Sequence, residues 1–243
     1  MKVLSILWYE WILFSNRFWG ITLGLLVAPV LYLIAFGWGI GGSTIVNGAS
    51  YISFVIPGII AMSSMTTSFS TIANNINISR TYDKTFEEFM TAPINMGSFA
   101  FGKIIAGAMR GMYSALLIIG ICIIFRAEIH IDSYAILMIV LNCLVFSALG
   151  FMIGIIIESH ADMSKFQNFI ITPMSFLCGT FFPLDKMPAV LKELIWILPL
   201  TQSSIAIRRD SDLFLNIWIH PLIMIVYFAV LLYIGIRLCK KAE

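Results

Sequence analysis

Few residues in this chain combine the types and the spacing that chemistry needs. The strongest grouping is Glu158, His160 and Asp162, three titratable side chains within one short stretch. Converging carboxylates and imidazoles serve acid–base catalysis or metal binding. Here a spacing of two disperses them around a helix, at the polar end of an apolar block, where a solvated turn is the commoner arrangement. His130 and His220 stand alone. Cys122, Cys143, Cys178 and Cys239 lie scattered among apolar residues, and none forms a C-x-x-C pair. They therefore imply packing and not a zinc site or a disulfide framework. No catalytic and no metal-binding residue is assigned, and no cofactor is expected on this chain. A G-x-x-x-x-G-K-[ST] phosphate loop is missing as well. The only Gly-Lys pair, Gly102–Lys103, is followed by Ile104 where the motif needs Ser or Thr, so the chain is not expected to hydrolyse ATP by itself.

Two other stretches carry polar groups in a pattern. "AMSSMTTSFST" (Ala61–Thr71) places seven hydroxyls inside an apolar block. Hydroxyls bond to the carbonyls of their own helix, so a membrane span tolerates them. "RTYDKTFEEFMTAPI" (Arg80–Ile94) places Tyr82, Phe86, Phe89 and Met90 at i, i+4, i+7 and i+8, with Asp83, Lys84, Glu87 and Glu88 mostly elsewhere. That spacing predicts a short helix with one apolar face.

The elements that hold these stretches are set by composition. Of 243 residues, 60% are hydrophobic and 12% are charged, against roughly 45–50% and about 25% in an ordinary soluble domain. The excess recurs in blocks, which predicts an all-α polytopic membrane protein. Six blocks are long enough to cross about 30 Å of hydrocarbon: Phe18–Ile40, Ile52–Ile72, Ile104–Phe125, Tyr134–Ile157, Phe166–Phe182 and Ile217–Ile236. Residues 1–17 read as a membrane-surface helix and not as a cleaved leader, because Glu10 and Arg17 interrupt a run rich in tryptophan. Between the last two blocks, residues 183–216 contain a helical run, Ala189–Leu198, flanked by Pro188 and Pro199, as expected of short helices at the outer leaflet. No repeat or linker divides the chain, so it reads as one membrane domain.

Lysine and arginine set the orientation. With both termini in the cytoplasm, ten of the fifteen lie inside and five outside, as the positive-inside rule prefers. Residues 80–92 then form a cytoplasmic helix. Lys103 and Arg110 require the third span to start late or to snorkel. No basic block suggests nucleic acid. No mid-span acid, lysine or histidine stands out, which counts against an ion-coupled carrier. A membrane enzyme acting on lipids is the other alternative, and only Glu158–Asp162 would support it.

Read in order, "YISFVIPGI" (Tyr51–Ile59), "TFEEFMTAPI" (Thr85–Ile94) and "GTFFPLDKMPAVLKELIWILPLTQSSIAIR" (Gly179–Arg208) resemble the permeases of type-2 ABC exporters. That family includes drug-resistance, nodulation-factor and polysaccharide export permeases. The resemblance covers nearly the whole chain. One departure is Gln202, where the family often has an aromatic residue or histidine.

The resemblance implies a permease subunit that pairs with a second copy, here a homodimer, above two cytoplasmic ATPase subunits that bind ATP and magnesium. It implies that the helix of residues 80–92 is the coupling helix, with Tyr82, Asp83, Phe86, Glu87, Glu88, Phe89 and Met90 meeting the ATPase. It implies a prokaryotic plasma membrane, the inner one where there are two. The cargo expected is amphipathic or hydrophobic: a drug, a lipid or a lipid-linked glycan. The most polar blocks, the second and the fifth, are the expected dimer seam or pathway, through Ser64, Thr67, Ser68, Thr71, Gln167, Thr172 and Ser175.

The orientation is testable. A cysteine in place of Ser211 is expected to react with an impermeant thiol reagent added outside the cell, and one in place of Thr85 is expected to be protected. The reverse pattern inverts the topology.

Overall fold

The computed structural model of the protein describes residues 2–40, 45–46, 49–86, 88, 95–125, 131–184, 187–208 and 218–241. Regular structure among them is helical, apart from a ladder of two residues a side. In that ladder β1 (Ile45–Val46) pairs antiparallel with β2 (Ala49–Ser50), and Ile45 faces Ser50. Helix α1 spans Lys2–Asn16 and α2 spans Phe18–Tyr32, the latter prolonged by wider π-helical turns over Leu33–Ile40. Then come α3 (Tyr51–Thr81), α4 (Met96–Ile124) and α5 (Ser133–Ile156). Helix α6 (His160–Phe166) runs through a π-helical stretch, Gln167–Ile171, into α7 (Thr172–Leu177). Helices α8 (Ala189–Trp196) and α9 (Pro199–Arg208) precede the last helix, α10 (Ile219–Lys241).

Five helices are long and apolar enough to cross a membrane: Phe18–Phe36, Tyr51–Thr81, Met96–Ile124, Ser133–Ile156 and Ile219–Lys240. They match five of the six expected blocks in order. The fifth block is instead broken into α6, the π turns and α7. Pro173 explains the break, because it supplies no N–H to the turn before it. The chain widens there, and Thr172 donates both its N–H and its hydroxyl (3.1 Å) to the carbonyl of Gln167 five residues back. The pair α8 and α9 is bent by 94°, with Pro199 at the start of the second helix, a position where a missing N–H costs nothing.

Local chemistry sets the other ends. The side chain of Asn95 accepts from Gly97 N at 2.9 Å, that of Asp132 from Ala135 N at 3.0 Å, and that of Ser159 from Ala161 N at 3.3 Å, which caps α4, α5 and α6. Gly179 turns the chain after α7 at φ 71°, the left-handed region that glycine enters freely.

Helix α3 is the centre of the bundle, and α4 and α5 close on it through glycines. A Cβ on Gly150 would lie 2.5 Å from the carbonyl oxygen of Phe69, and one on Gly111 would lie 2.8 Å from that of Ser64. Gly107/Gly111 on α4 and Gly150/Gly154 on α5, each pair spaced by four, thus lie at helix contacts. Gly20 and Gly24 have open space beside them.

Helix α1 lies along the first half of α4. Ile6 covers Gly102, and Phe14 meets Tyr113 edge-on at 5.2 Å. Between these contacts Lys103 donates to Glu10 Oε1 at 2.6 Å and to Asn75 Oδ1 at 2.9 Å, with both partners of the ion pair 3% exposed. Arg110 lies 3.6 Å from Glu10 Oε2. The expectation of a late start or snorkelling at Lys103 is thus corrected. Helix α4 begins at Met96, and Lys103 is neutralised by a carboxylate from α1 in place of water.

Replacing Gly150 with valine is expected to cost about 1–3 kcal/mol of stability, the usual penalty for overfilling a packed contact. Thermal unfolding of the purified protein in nanodiscs measures it. A gain in stability would mean that the closure of α5 on α3 is looser than described.

Candidate functional site

The loop of residues 80–92 begins where α3 stops. Arg80 and Thr81 form the last turn of α3, so the helix expected over residues 80–92 does not start at Arg80. Tyr82 to Lys84 interrupt it, with Lys84 at φ 52°, an uncommon backbone state for a residue with a side chain. Helical backbone resumes at Thr85 and Phe86 and is seen again at Glu88. Glu87, Phe89 and Met90 lie outside the described residues.

This break corrects the assignment of Phe86. Their i, i+4 spacing predicts Tyr82 and Phe86 on one face of one helix. The turn at Lys84 resets the phase, so Tyr82 is 67% exposed whereas Phe86 is 5% exposed. Phe86 packs edge-on against Phe99 at 6.0 Å, and Phe99 in turn meets Phe151 at 6.2 Å. The Arg80 guanidinium lies 5.7 Å from the Phe86 ring and donates to the carbonyl of Ile155. Nearby, Asn77 Nδ2 donates to the Ile157 carbonyl at 2.9 Å and Thr81 Oγ1 to that of Glu158 at 3.2 Å. The loop is therefore riveted to α4 and α5, and it turns Tyr82, Asp83 and Glu88 outward.

The hydroxyls of α3 divide between two faces. Ser64 and Ser68 are fully buried, and the amide of Asn142 on α5 donates to Ser64 Oγ and to the Ala61 carbonyl, both at 3.0 Å. Ser64 locks α3 to α5, Ser68 packs against Gly111 of α4, and neither lines an open space. Thr67 faces the other way, into a cavity of about 240 Å³ between α2, α3, α4 and α7. Thr172 and Ser175 line the same cavity from α7, joined by Ser63, Thr66, Ser114 and Tyr32, which the sequence reading did not select. Gln167 lies apart, donating to Asn74 Oδ1 at 3.1 Å, and Thr71 is half-buried. The signal for the cavity face was present in the i, i+4 pair Ser63/Thr67, one residue out of phase with Ser64/Ser68.

At the N-terminal end of α3 two of the quoted motifs meet each other. Tyr51 Oη donates to the Phe181 carbonyl at 3.0 Å. Gly58 lies against the Thr180 carbonyl, where a Cβ would collide. Arg208 donates to the carbonyls of Phe54 (2.9 Å) and Thr180 (2.7 Å), with its guanidinium 3.8 Å from the centre of the Phe54 ring. Gln202, the departure in the outer motif, is fully buried. It donates to the Trp196 carbonyl, while its Oε1 lies 2.7 Å from His220 Nδ1 on α10. The Glu158–Asp162 group does not converge. Asp162 pairs with Lys165 at 2.7 Å in solvent, and no three His, Cys, Asp or Glu side chains gather around a metal-sized space among the described residues.

Residues 1–208 match the model of a protein family described as ABC-2 type transporter. The chain is 30% identical over 192 residues to the inner membrane transport permease YadH of Escherichia coli strain K12, covering 76% of this chain and 74% of that one. It is 28% identical over 225 residues to Nodulation protein J of Rhizobium leguminosarum bv. viciae, covering 90% and 86%. With Nodulation protein J of Rhizobium meliloti strain 1021 the identity is 31% over 192 residues, covering 76% and 72%.

Because Phe86 is part of the protein's own core, Phe86→Asp is expected to destabilise the isolated chain by about 3–5 kcal/mol, as large aromatic deletions do. Unfolding of the purified variant without any partner reads this directly. Wild-type stability would return Phe86 to the outward face.

Proposed function

The chain belongs to the ABC-2 type transporter family, whose members are membrane permeases, and on that premise we propose that it is the membrane subunit of an ATP-driven exporter. It is a multi-pass transporter of a prokaryotic inner membrane and not an enzyme in its own right. In this reading a separate cytoplasmic ATPase binds ATP and magnesium, two copies of it dock beneath two copies of this chain, and both termini face the cytoplasm.

The observation that carries the reading is the riveted inner loop. Phe86, Arg80 and Asn77 fix the loop to α4 and α5. A force applied to its outward residues therefore moves the spans and is not absorbed by a slack connection. Tyr82, Asp83 and Glu88 supply the docking surface, with Glu87, Phe89 and Met90 completing it. Closure of the ATPase dimer on ATP does the work, because ATP binds the closed state more tightly.

The cavity lined by Thr67, Thr172 and Ser175 is the proposed entry to the pathway. Its walls offer hydroxyls and apolar side chains without a fixed charge. That suits an amphipathic or hydrophobic cargo such as a drug, a lipid or a lipid-linked glycan. The exposed apolar edge of α2, through Trp19, Leu23, Val27 and Leu31 at i, i+4, i+8 and i+12, is the proposed seam with the second copy.

The docking reading is tested with a double variant, Tyr82→Ala with Glu88→Lys, in source cells that also make the ATPase which co-purifies with the wild-type chain. Membrane insertion and thermal stability should match wild type, and co-purification of the ATPase should fall at least about tenfold. Undiminished co-purification would sink the docking reading.

A further inference from the structure

The cluster that joins α1 to α4 is out of charge balance. Lys103 is satisfied by Glu10 and Asn75, at 2.6 and 2.9 Å. Arg110 has the weaker share of the same carboxylate, 3.6 Å from Glu10 Oε2, and its only other partner among the described residues is the Phe14 ring at 5.6 Å. Two cations thus share one anion. None of the guanidinium's five N–H donors makes a hydrogen bond among the described residues, and the buried Glu10 Oε2 has none either.

The position makes this imbalance costly. Arg110 lies fourteen residues before Ile124, the last residue of α4, or about 21 Å along the helix axis. With Ile124 at one edge of the hydrocarbon, Arg110 still lies inside a layer about 30 Å thick. A charge there needs a partner.

Beside Arg110 is a pocket of about 180 Å³, walled by Trp11, Phe14, Phe18, Met109 and Tyr113. It continues into a groove of about 710 Å³ along the outer side of α1, past Leu4 and Trp8. Trp8, Trp11 and Trp19 are exposed to 66%, 53% and 74%, and exposed tryptophans favour the headgroup boundary. The place therefore combines an under-neutralised arginine, about 9 Å inside the nearer hydrocarbon edge and long enough to snorkel toward the phosphates, with an apolar trough flanked by tryptophans.

We propose that the α1–α4 pocket holds an anionic phospholipid from the adjoining leaflet. Its phosphate lies on the Arg110 guanidinium, which presents paired donors of the right geometry for phosphate oxygens. One acyl chain lies in the trough beside Trp11 and Met109. The bound phosphate supplies the negative charge that Glu10 alone does not, and the lipid becomes part of the joint between α1 and the bundle. This site is separate from the hydroxyl-lined cavity between α2, α3 and α7.

The test uses the full chain, purified and reconstituted into nanodiscs of phosphatidylcholine with or without phosphatidylglycerol. Lipid retained after delipidation is counted by native mass spectrometry, and thermal stability is followed in parallel. Wild type should retain phosphatidylglycerol in preference to phosphatidylcholine. Arg110→Gln should lower that retention about tenfold, the usual scale for losing a charged hydrogen-bonding partner. Met109→Trp fills the trough and leaves every ion pair in place, so it tests the site even if Arg110→Gln does not fold, and it should lower retention as well. Inorganic phosphate alone should not raise stability. Equal retention of the two lipids by wild type, undiminished retention in Met109→Trp, or stabilisation by inorganic phosphate matching that of phosphatidylglycerol would each overturn the proposal.

Discussion

Everything in this structure depends on how closely α4 and α5 approach α3. In hydrocarbon no water is available to satisfy a hydroxyl or an amide, so a helix as polar as α3 needs protein on most sides. Glycines supply the room. Gly111 opposite Ser64, and Gly150 opposite Phe69, bring backbone against backbone where any side chain would hold the helices apart. Only at that distance does Asn142 reach both Ser64 and the Ala61 carbonyl. The same approach leaves the opposite face of α3, with Ser63, Thr66 and Thr67, turned toward α2 and α7, and there the cavity forms.

The two ends of α3 are fastened by the same logic of carbonyls satisfied by side chains. At its N-terminal end, Arg208 donates to the carbonyls of Phe54 and Thr180, and Tyr51 to that of Phe181. At its C-terminal end, Asn77, Arg80 and Thr81 do the same for Ile157, Ile155 and Glu158, where α5 ends. Buried polar groups in this protein thus act as fasteners between elements far apart in sequence. Two of the short motifs that mark the chain's resemblance to its family contain the first set of fasteners and touch each other, whereas Asn77, Arg80 and Thr81 lie just before the remaining motif, Thr85–Ile94.

Much of this architecture is legible in the sequence, for identifiable reasons. Long apolar blocks announce the spans, because hydropathy summed over some twenty residues is a strong signal. Pro188 and Pro199 bracket the outer helix as expected. What stays hidden depends on facts that periodicity does not carry. A pattern shows that Phe86 belongs to an apolar face but not whether its own chain or a partner covers that face, and the turn at Lys84 shifts the phase between Tyr82 and Phe86. Ser64 and Ser63 differ by one residue and face different worlds. Glu10 and Lys103 are 93 positions apart, so each reads locally as a residue for the membrane surface. The π-helical turns before Pro173 shorten a block that composition alone presents as an ordinary span.

Helix α3 has 31 residues in one piece, which makes it about 46 Å long. Its glycine-lined clasp sits near the middle, around Ser64 to Phe69, with the outer fastening at one end and the inner loop at the other. A stiff rod clasped in its middle and fastened at both ends has no free arm. The segment around Thr180 and Arg208 and the loop that follows Thr81 are thereby held at a separation set by the length of α3, and neither can shift far along the rod without opening a fastening at its own end.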